Sequence, residues 1–234
     1  YNLYISIKDD AIYISLERGI KVLTNEQQLL AYLFSYGRMH FAKLNAALQC
    51  IDKFDFNNIE IVDWGCGQAL ATISLLEDIK NRFEYVNVES ITLIEPSEIA
   101  LKRAALHTKK FKNNTKIKTI NKDLDSIELE DFINSAKSTK VHLFSNILDI
   151  DLFSMSKLID NIQLTFKGDN IFICVSPYIS EHKTQRVDDF VEAFETYASF
   201  RLITKQNKKT GEWKNKWTKI VRVFQVNITS FVGI

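Results

Sequence analysis

The segment that most constrains this chain is Ile59-Glu60-Ile61-Val62-Asp63-Trp64-Gly65-Cys66-Gly67-Gln68-Ala69-Leu70-Ala71-Thr72. An apolar run ends in an acid, two glycines follow one residue apart, and a helix-forming pattern begins. This pattern predicts a buried strand running into a tight turn that opens a helix. Glycine tolerates the sharp bend and lets a ligand approach the main chain, and the first N–H groups of the helix then face whatever occupies the turn. A second apolar run, Ile91-Thr92-Leu93-Ile94, closes on Glu95, an acid placed to accept from both hydroxyls of a ribose. A glycine turn and two acids at the carboxyl ends of neighbouring strands predict a nucleoside-binding edge.

The flanking pattern extends this frame. Apolar runs at 116–120, 141–144 and 171–175 add three strands, and helical spacing covers 69–82, 97–111, 126–136, 154–166 and 184–199. Strands that are apolar throughout and alternate with helices predict a parallel sheet covered on both faces. Right-handed crossovers then align the strands' carboxyl ends along one edge. Pro96 and Pro177, the two prolines of the chain, both follow strands on that edge. Residues 200–206 and 218–228 read instead as an antiparallel hairpin. Ahead of the first core strand, 3–7 and 11–16 read as two short strands. From Thr24, an N-cap residue, a helical stripe runs through Leu29, Leu33, Phe41, Leu44 and Leu48, with Gly37 expected to split it into two helices. The expected organisation is an N-terminal strand/helix cap, 1–54, followed by one α/β domain, 55–234.

Composition narrows the class. With 46% hydrophobic residues, 25% charged residues and a net charge of +1, the chain is globular, and no global field draws it to nucleic acid or membrane. Cys50, Cys66 and Cys174 lack paired metal-ligand spacing, so reduced thiols in a cytoplasmic protein are expected, without a metal. No apolar run reaches the roughly 18 residues of a membrane span. A first residue other than Met suggests a piece of a larger chain or complex.

With these motifs the chain resembles the Rossmann-like, class I S-adenosylmethionine-dependent methyltransferases over about residues 55–230. The resemblance implies a seven-stranded, mostly parallel sheet whose seventh strand lies antiparallel beside the fifth. It also implies S-adenosyl-L-methionine as cofactor. Asp63-Trp64-Gly65-Cys66-Gly67, with Gln68, matches the turn that wraps the methionine part; Glu95, followed by Pro96, matches the ribose acid. Asp123-Leu124 matches the pair beside the adenine, and Ser145-Asn146 the segment under the sulfonium. Ala69 stands where a third glycine is frequent. Ser176-Pro177-Tyr178 looks like the Asn-Pro-Pro-Tyr motif of amino-methylating nucleic-acid enzymes but follows strand five rather than four, so that role is not carried over.

Methyl transfer mainly needs alignment, with a base where the acceptor holds its proton tightly. Asn146, Tyr178 and His40 are the catalytic candidates, with Asp149 nearby; each also reads as a turn, edge or helix-surface residue. His142 alternates with core residues and reads as structural. In the tail, Arg201, Lys205, Lys208, Lys209, Lys214, Lys216, Lys219 and Arg222 stand against Glu212 alone, with Trp213 and Trp217 interleaved. The hairpin Lys205–Arg222 could therefore hold RNA by phosphate neutralisation and base stacking, or be a solvated hairpin. The function expected is an S-adenosylmethionine-dependent methyltransferase, with RNA slightly favoured as acceptor. The alternatives are a catalytically silent cofactor-binding regulatory domain or an NAD-dependent oxidoreductase.

Overall fold

The computed structural model describes residues 10–52, 57–83, 85–132, 137–209 and 216–229. The core strands are β1 (Asn58–Trp64), β2 (Asn87–Ile94), β3 (Lys116–Ile120), β4 (Thr139–Ser145), β5 (Gly168–Ser176), β6 (Arg201–Lys208) and β7 (Lys219–Ile228). They form one sheet in the order β3-β2-β1-β4-β5-β7-β6. β1 to β5 are parallel, and β7 runs antiparallel between β5 and β6. The expected seven-stranded α/β sheet with its antiparallel tail is thus observed.

The helices are α1 (Asp10–Ser15), α2 (Glu26–Tyr32), α3 (Arg38–Leu48), α4 (Leu70–Arg82), α5 (Glu98–Phe111), α6 (Met155–Thr165) and α7 (Glu181–Glu192). Serines at Ser97, Ser154 and Ser180 cap α5, α6 and α7 by accepting the N–H three residues on. Alternation along β1 sends Ile59 and Ile61 to one face, with α3, α4 and α5, and Val62 and Trp64 to the other, with α6 and α7. On the second face Phe172 and Phe224 stack with ring centroids 4.6 Å apart, and Phe190 and Phe194 pack around them. Each such buried ring stabilises the fold by about 1.5–3 kcal/mol. On the other side of Phe172, stacked on it at 4.5 Å, His142 is fully buried: Nδ1 accepts from Trp64 Nε1 (3.1 Å), and Nε2 faces Asn170 Oδ1 (3.0 Å). Burial pushes its pKa down to about 3, so it is a neutral core residue, as its alternation predicted.

Four local expectations are corrected. Residues 11–16 are not a strand but lie mostly in α1. Ile12 and Leu16, four apart, turn inward together while Ile14 is 73% exposed, so packing overrides β propensity. The strand expected at 3–7 lies outside the described residues. The cap of α2 is Asn25, whose side chain accepts from Gln28 N–H at 2.9 Å, rather than Thr24. Gly37 does not break the helix, because a π-helical turn at Leu33–Gly37 joins α2 to α3. Of the helix expected at 126–136, residues 133–136 lie outside the described residues, and the rest holds 3₁₀ turns at Leu124–Ser126 and Leu129–Asp131, the first capped by Asp123. No described helix is long and apolar enough to cross a membrane.

Candidate active site

Strand order reverses between β1 and β4, and in open α/β sheets ligands bind outside the carboxyl ends at such a switch. The loop after β1 is shaped by three left-handed residues: Gly65 (φ +64°), Gly67 (φ +51°) and Ala69 (φ +65°). A Cβ on Gly65 would stand 3.0 Å from Ile147 Cδ1, so the loops after β1 and β4 meet only because this residue is glycine. At Gly67 such an atom would meet nothing within 4 Å, which leaves the main chain open on that side. Ala69 occupies the left-handed position at the start of α4 without glycine's freedom, at a cost of about 1–2 kcal/mol.

Asp63 fixes this turn from behind. It is fully buried; Oδ2 accepts from Thr72 Oγ1 (2.6 Å) and Thr72 N (3.2 Å), while Oδ1 has no partner. Burial pushes its carboxyl up to about 7. Glu95, just beyond β2, accepts from Gly67 N through Oε2 and from Ser97 N through Oε1, both at 3.0 Å. Burial raises this carboxyl as well. The next turn is stitched to the first, since Asn121 Nδ2 donates to the carbonyls of Glu95 and Pro96, both at 2.9 Å. Asp123 follows, its Oδ1 accepting from Ser126 N at 2.8 Å.

These loops enclose a cleft of about 200 Å³. Of the residues expected to hold a cofactor, Gly65, Gly67, Gln68, Glu95, Pro96, Asp123, Leu124, Ser145 and Asn146 line it. Asp63, Trp64 and Cys66 stand behind the wall. The Trp64 side chain points into the far core, where it stacks on Phe144 at 5.7 Å.

The catalytic candidates separate. Asn146 lies at the cleft with φ +61°, a left-handed backbone held by its N–H donating to Val175 O at 2.7 Å. His40 is buried beside the cleft, stacked on Tyr36 at 5.9 Å and edge-on to Tyr32 at 5.8 Å, and burial pushes its pKa down to about 3. Tyr178 does not line the cleft. Its hydroxyl donates to Glu181 Oε1 at 2.7 Å, and Lys209 sits over its ring.

The structure adds what the sequence reading did not place. Residues 19–23 and Tyr32 form the outer wall, tied down where Ser97 Oγ donates to Leu23 O (2.5 Å) and Gln68 Nε2 to Leu29 O (3.0 Å). Lys43 on α3 is fully buried, and Nζ donates to Asn146 Oδ1. Burial pulls its pKa down to about 7. Tyr32, Tyr36, His40 and Lys43 recur every three or four residues; the sequence singles out Tyr36, His40 and Lys43 as a stretch that could cover a ligand, and this spacing is the signal that adds Tyr32.

Three cations of the basic hairpin are paired within the protein. Arg222 is fully buried and grips Asp188 through Nε (2.7 Å) and Nη2 (3.2 Å); Lys205 also reaches Asp188 (3.2 Å), and Lys209 reaches Glu181 (3.0 Å). Lys208 and Lys216 are exposed and Trp217 is half-buried, while Trp213 and Lys214 lie outside the described residues.

No family model and no curated protein matches the sequence. Solved structures do match the fold. One, from Methanococcus maripaludis and described as an S-adenosyl-L-methionine-dependent methyltransferase, aligns with a TM-score of 0.56 at 12% identity, covering 91% of this chain and 98% of its own. Another, described as an RNA methyltransferase from Pyrococcus horikoshii, aligns at 0.51 and 14% identity, covering 94% and 100%. The cyclase SpnF aligns at 0.55 and 10% identity over 81% of each chain, so this fold alone does not dictate methyl transfer. The chain has the fold of the class I, Rossmann-like S-adenosylmethionine-dependent methyltransferases.

Proposed function

We propose that the protein is an S-adenosylmethionine-dependent methyltransferase whose cofactor lies in the cleft at the carboxyl ends of β1, β2, β3 and β4. The observation that carries this reading is Glu95 bound to the glycine turn. Each of its oxygens spends one lone pair on a backbone N–H and keeps another for a ribose hydroxyl. Asp123 and Leu124 then stand where the base would lie, Gly67 leaves its main chain open, and Ser145 and Asn146 close the far end.

Electrostatics favours this ligand over a dinucleotide. Around the glycine turn Asp63 and Glu95 are both raised by burial, so a positive charge brought beside them favours their ionised forms, which a pyrophosphate there does not. When bound, the cofactor supplies a methyl group on a positively charged sulfur. Ile94, Leu124 and Ile147 give the cleft an apolar lining that excludes water, while Asn146 orients the incoming acceptor. Arg222, Lys205 and Lys209 pair with acids of α7, while Arg201, Lys208 and Lys216 stay exposed, so RNA remains among the acceptors to be tested.

Calorimetry with S-adenosylmethionine, S-adenosylhomocysteine and NAD tests the reading. Binding of the first two is expected, and binding of NAD alone would overturn it. A methyl-label transfer screen over small molecules, protein and RNA then identifies the acceptor pool.

A further inference from the structure

Lys43 is a fully buried amine whose hydrogen-bond partner is a neutral amide, Asn146 Oδ1. Among the described residues no carboxylate lies within ion-pair distance of it. Asp149 acts on it only from farther off, and its own carboxyl is bonded by Ser176 and raised by burial. His40, one turn earlier on α3, is neutral and offers no compensation. Burial pulls the Lys43 pKa down to about 7, and an anion brought to the neighbouring cleft favours its charged form.

The same contact fixes the direction of Asn146. In its charged form the amine has donors and no acceptor, so with an anion in the cleft the amide oxygen faces Nζ, as observed, and Nδ2 faces away. One N–H of Nδ2 donates to Ser145 Oγ at 3.0 Å, and the other remains for a ligand. The left-handed backbone of Asn146 holds this side chain at the end of β4, where Ser145 and Ile147 also line the cleft. The wall beside the reacting methyl group therefore presents a donor backed by a cation. An amino group needs the opposite, an acceptor for its N–H.

We propose that Lys43 is the positioning residue of the acceptor site, and that by turning Asn146 donor-outward it selects an anionic oxygen, a phenolate or carboxylate, over an amine as the methyl acceptor. This rests on the methyltransferase reading above. The oxygen's lone pair forms the new C–O bond as the C–S bond breaks, and the bonding pair stays on sulfur. No proton moves, so no base is required at the site.

The test uses the complex with S-adenosylhomocysteine and two probes that differ only at the position to be methylated, 4-nitrophenolate and 4-nitroaniline. Binding of S-adenosylhomocysteine is measured first: its failure sinks the cofactor reading, and this inference with it. Given that complex, the phenolate is expected to bind at least about tenfold more tightly than the aniline, as for a polar site that discriminates by its hydrogen bonds. Lys43→Met keeps the apolar stem and should erase the preference while leaving affinity for S-adenosylhomocysteine within about threefold, since Lys43 does not line that part of the cleft. Asn146→Asp, which tolerates the same backbone and pairs with Lys43, should also abolish it, and serves if Lys43→Met fails to fold. Equal binding of both probes, binding of neither, a preference for the aniline, or a preference surviving both variants would overturn the inference.

Discussion

Asp63 allows a test of the site's electrostatics that needs no ligand. Its carboxyl is fully buried, has one unpartnered oxygen, and is raised from 3.8 to about 7. In the unfolded chain the group ionises near its ordinary value. Between about pH 4 and about pH 7 the folded protein therefore holds a proton that the unfolded chain has released. The sign follows from that difference. This contribution to stability is complete below the unfolded value and is lost as pH rises to the folded one. At about 1.4 kcal/mol per unit, the loss between about pH 5 and about pH 8 is roughly 3 kcal/mol. Asp63→Asn keeps an oxygen for Thr72 and removes the titration. Urea unfolding followed by far-UV circular dichroism at both pH values should show the variant gaining roughly 3 kcal/mol on the parent protein as pH rises. The titrations of Glu95 and Asp149, present in both proteins, cancel in the difference except for the coupling of Glu95 to Asp63, which belongs to the same desolvated site. A gap between variant and parent that does not change with pH would refute the argument that this acid is held in a desolvated site.

Glu95→Gln leaves one acceptor oxygen for two backbone N–H groups and two hydroxyls, and calorimetry should show S-adenosylmethionine affinity falling about 10- to 100-fold, at about 1–3 kcal/mol per lost partner. The two turn glycines should behave differently. Gly65→Ala adds a clash with Ile147 to the left-handed strain and should lower stability by about 2–4 kcal/mol, partly recovered by Ile147→Val. Gly67→Ala meets open space and should lower it by only about 1 kcal/mol while weakening cofactor binding; equal losses in thermal unfolding would contradict the geometry. Asp188→Ala leaves the buried Arg222 guanidinium unpaired and should cost about 3–5 kcal/mol of unfolding free energy, whereas a change below about 1 kcal/mol would mean that the pair is not desolvated.

The elements legible in the sequence are those fixed by neighbours along the chain. The Asp63–Gly67 turn, the acid after β2 and the antiparallel tail each follow from a few adjacent residues, and the structure places them as read. What was hidden depends on partners distant in sequence. Residues 11–16 carry a β-rich pattern, yet become mostly helical because Leu16 is buried with Leu29 and Ala100. Trp64 sits inside the turn motif, but strand alternation sends its ring to the opposite core. The hairpin's basic run reads as free charge along the chain, while in space Asp188 and Glu181 of α7 take up three of its cations. Lys43 lies on a helix of the expected N-terminal cap, and nothing near it in sequence announces that its amine reaches Asn146.

The placement of β7 also bears on how the chain is made. β5 contributes seven consecutive buried residues, Asn170 to Ser176, yet among the described residues its outer edge pairs only with β7, and β6 pairs with nothing else. A nascent chain synthesised as far as β6 thus holds an apolar strand with an open row of N–H and C=O groups and a second strand without a place in the sheet. Docking of Lys219–Ile228 closes both at once, so the last strand in sequence is the keystone of that half of the sheet. Until it arrives, the growing chain is open to edge-to-edge association with its own copies.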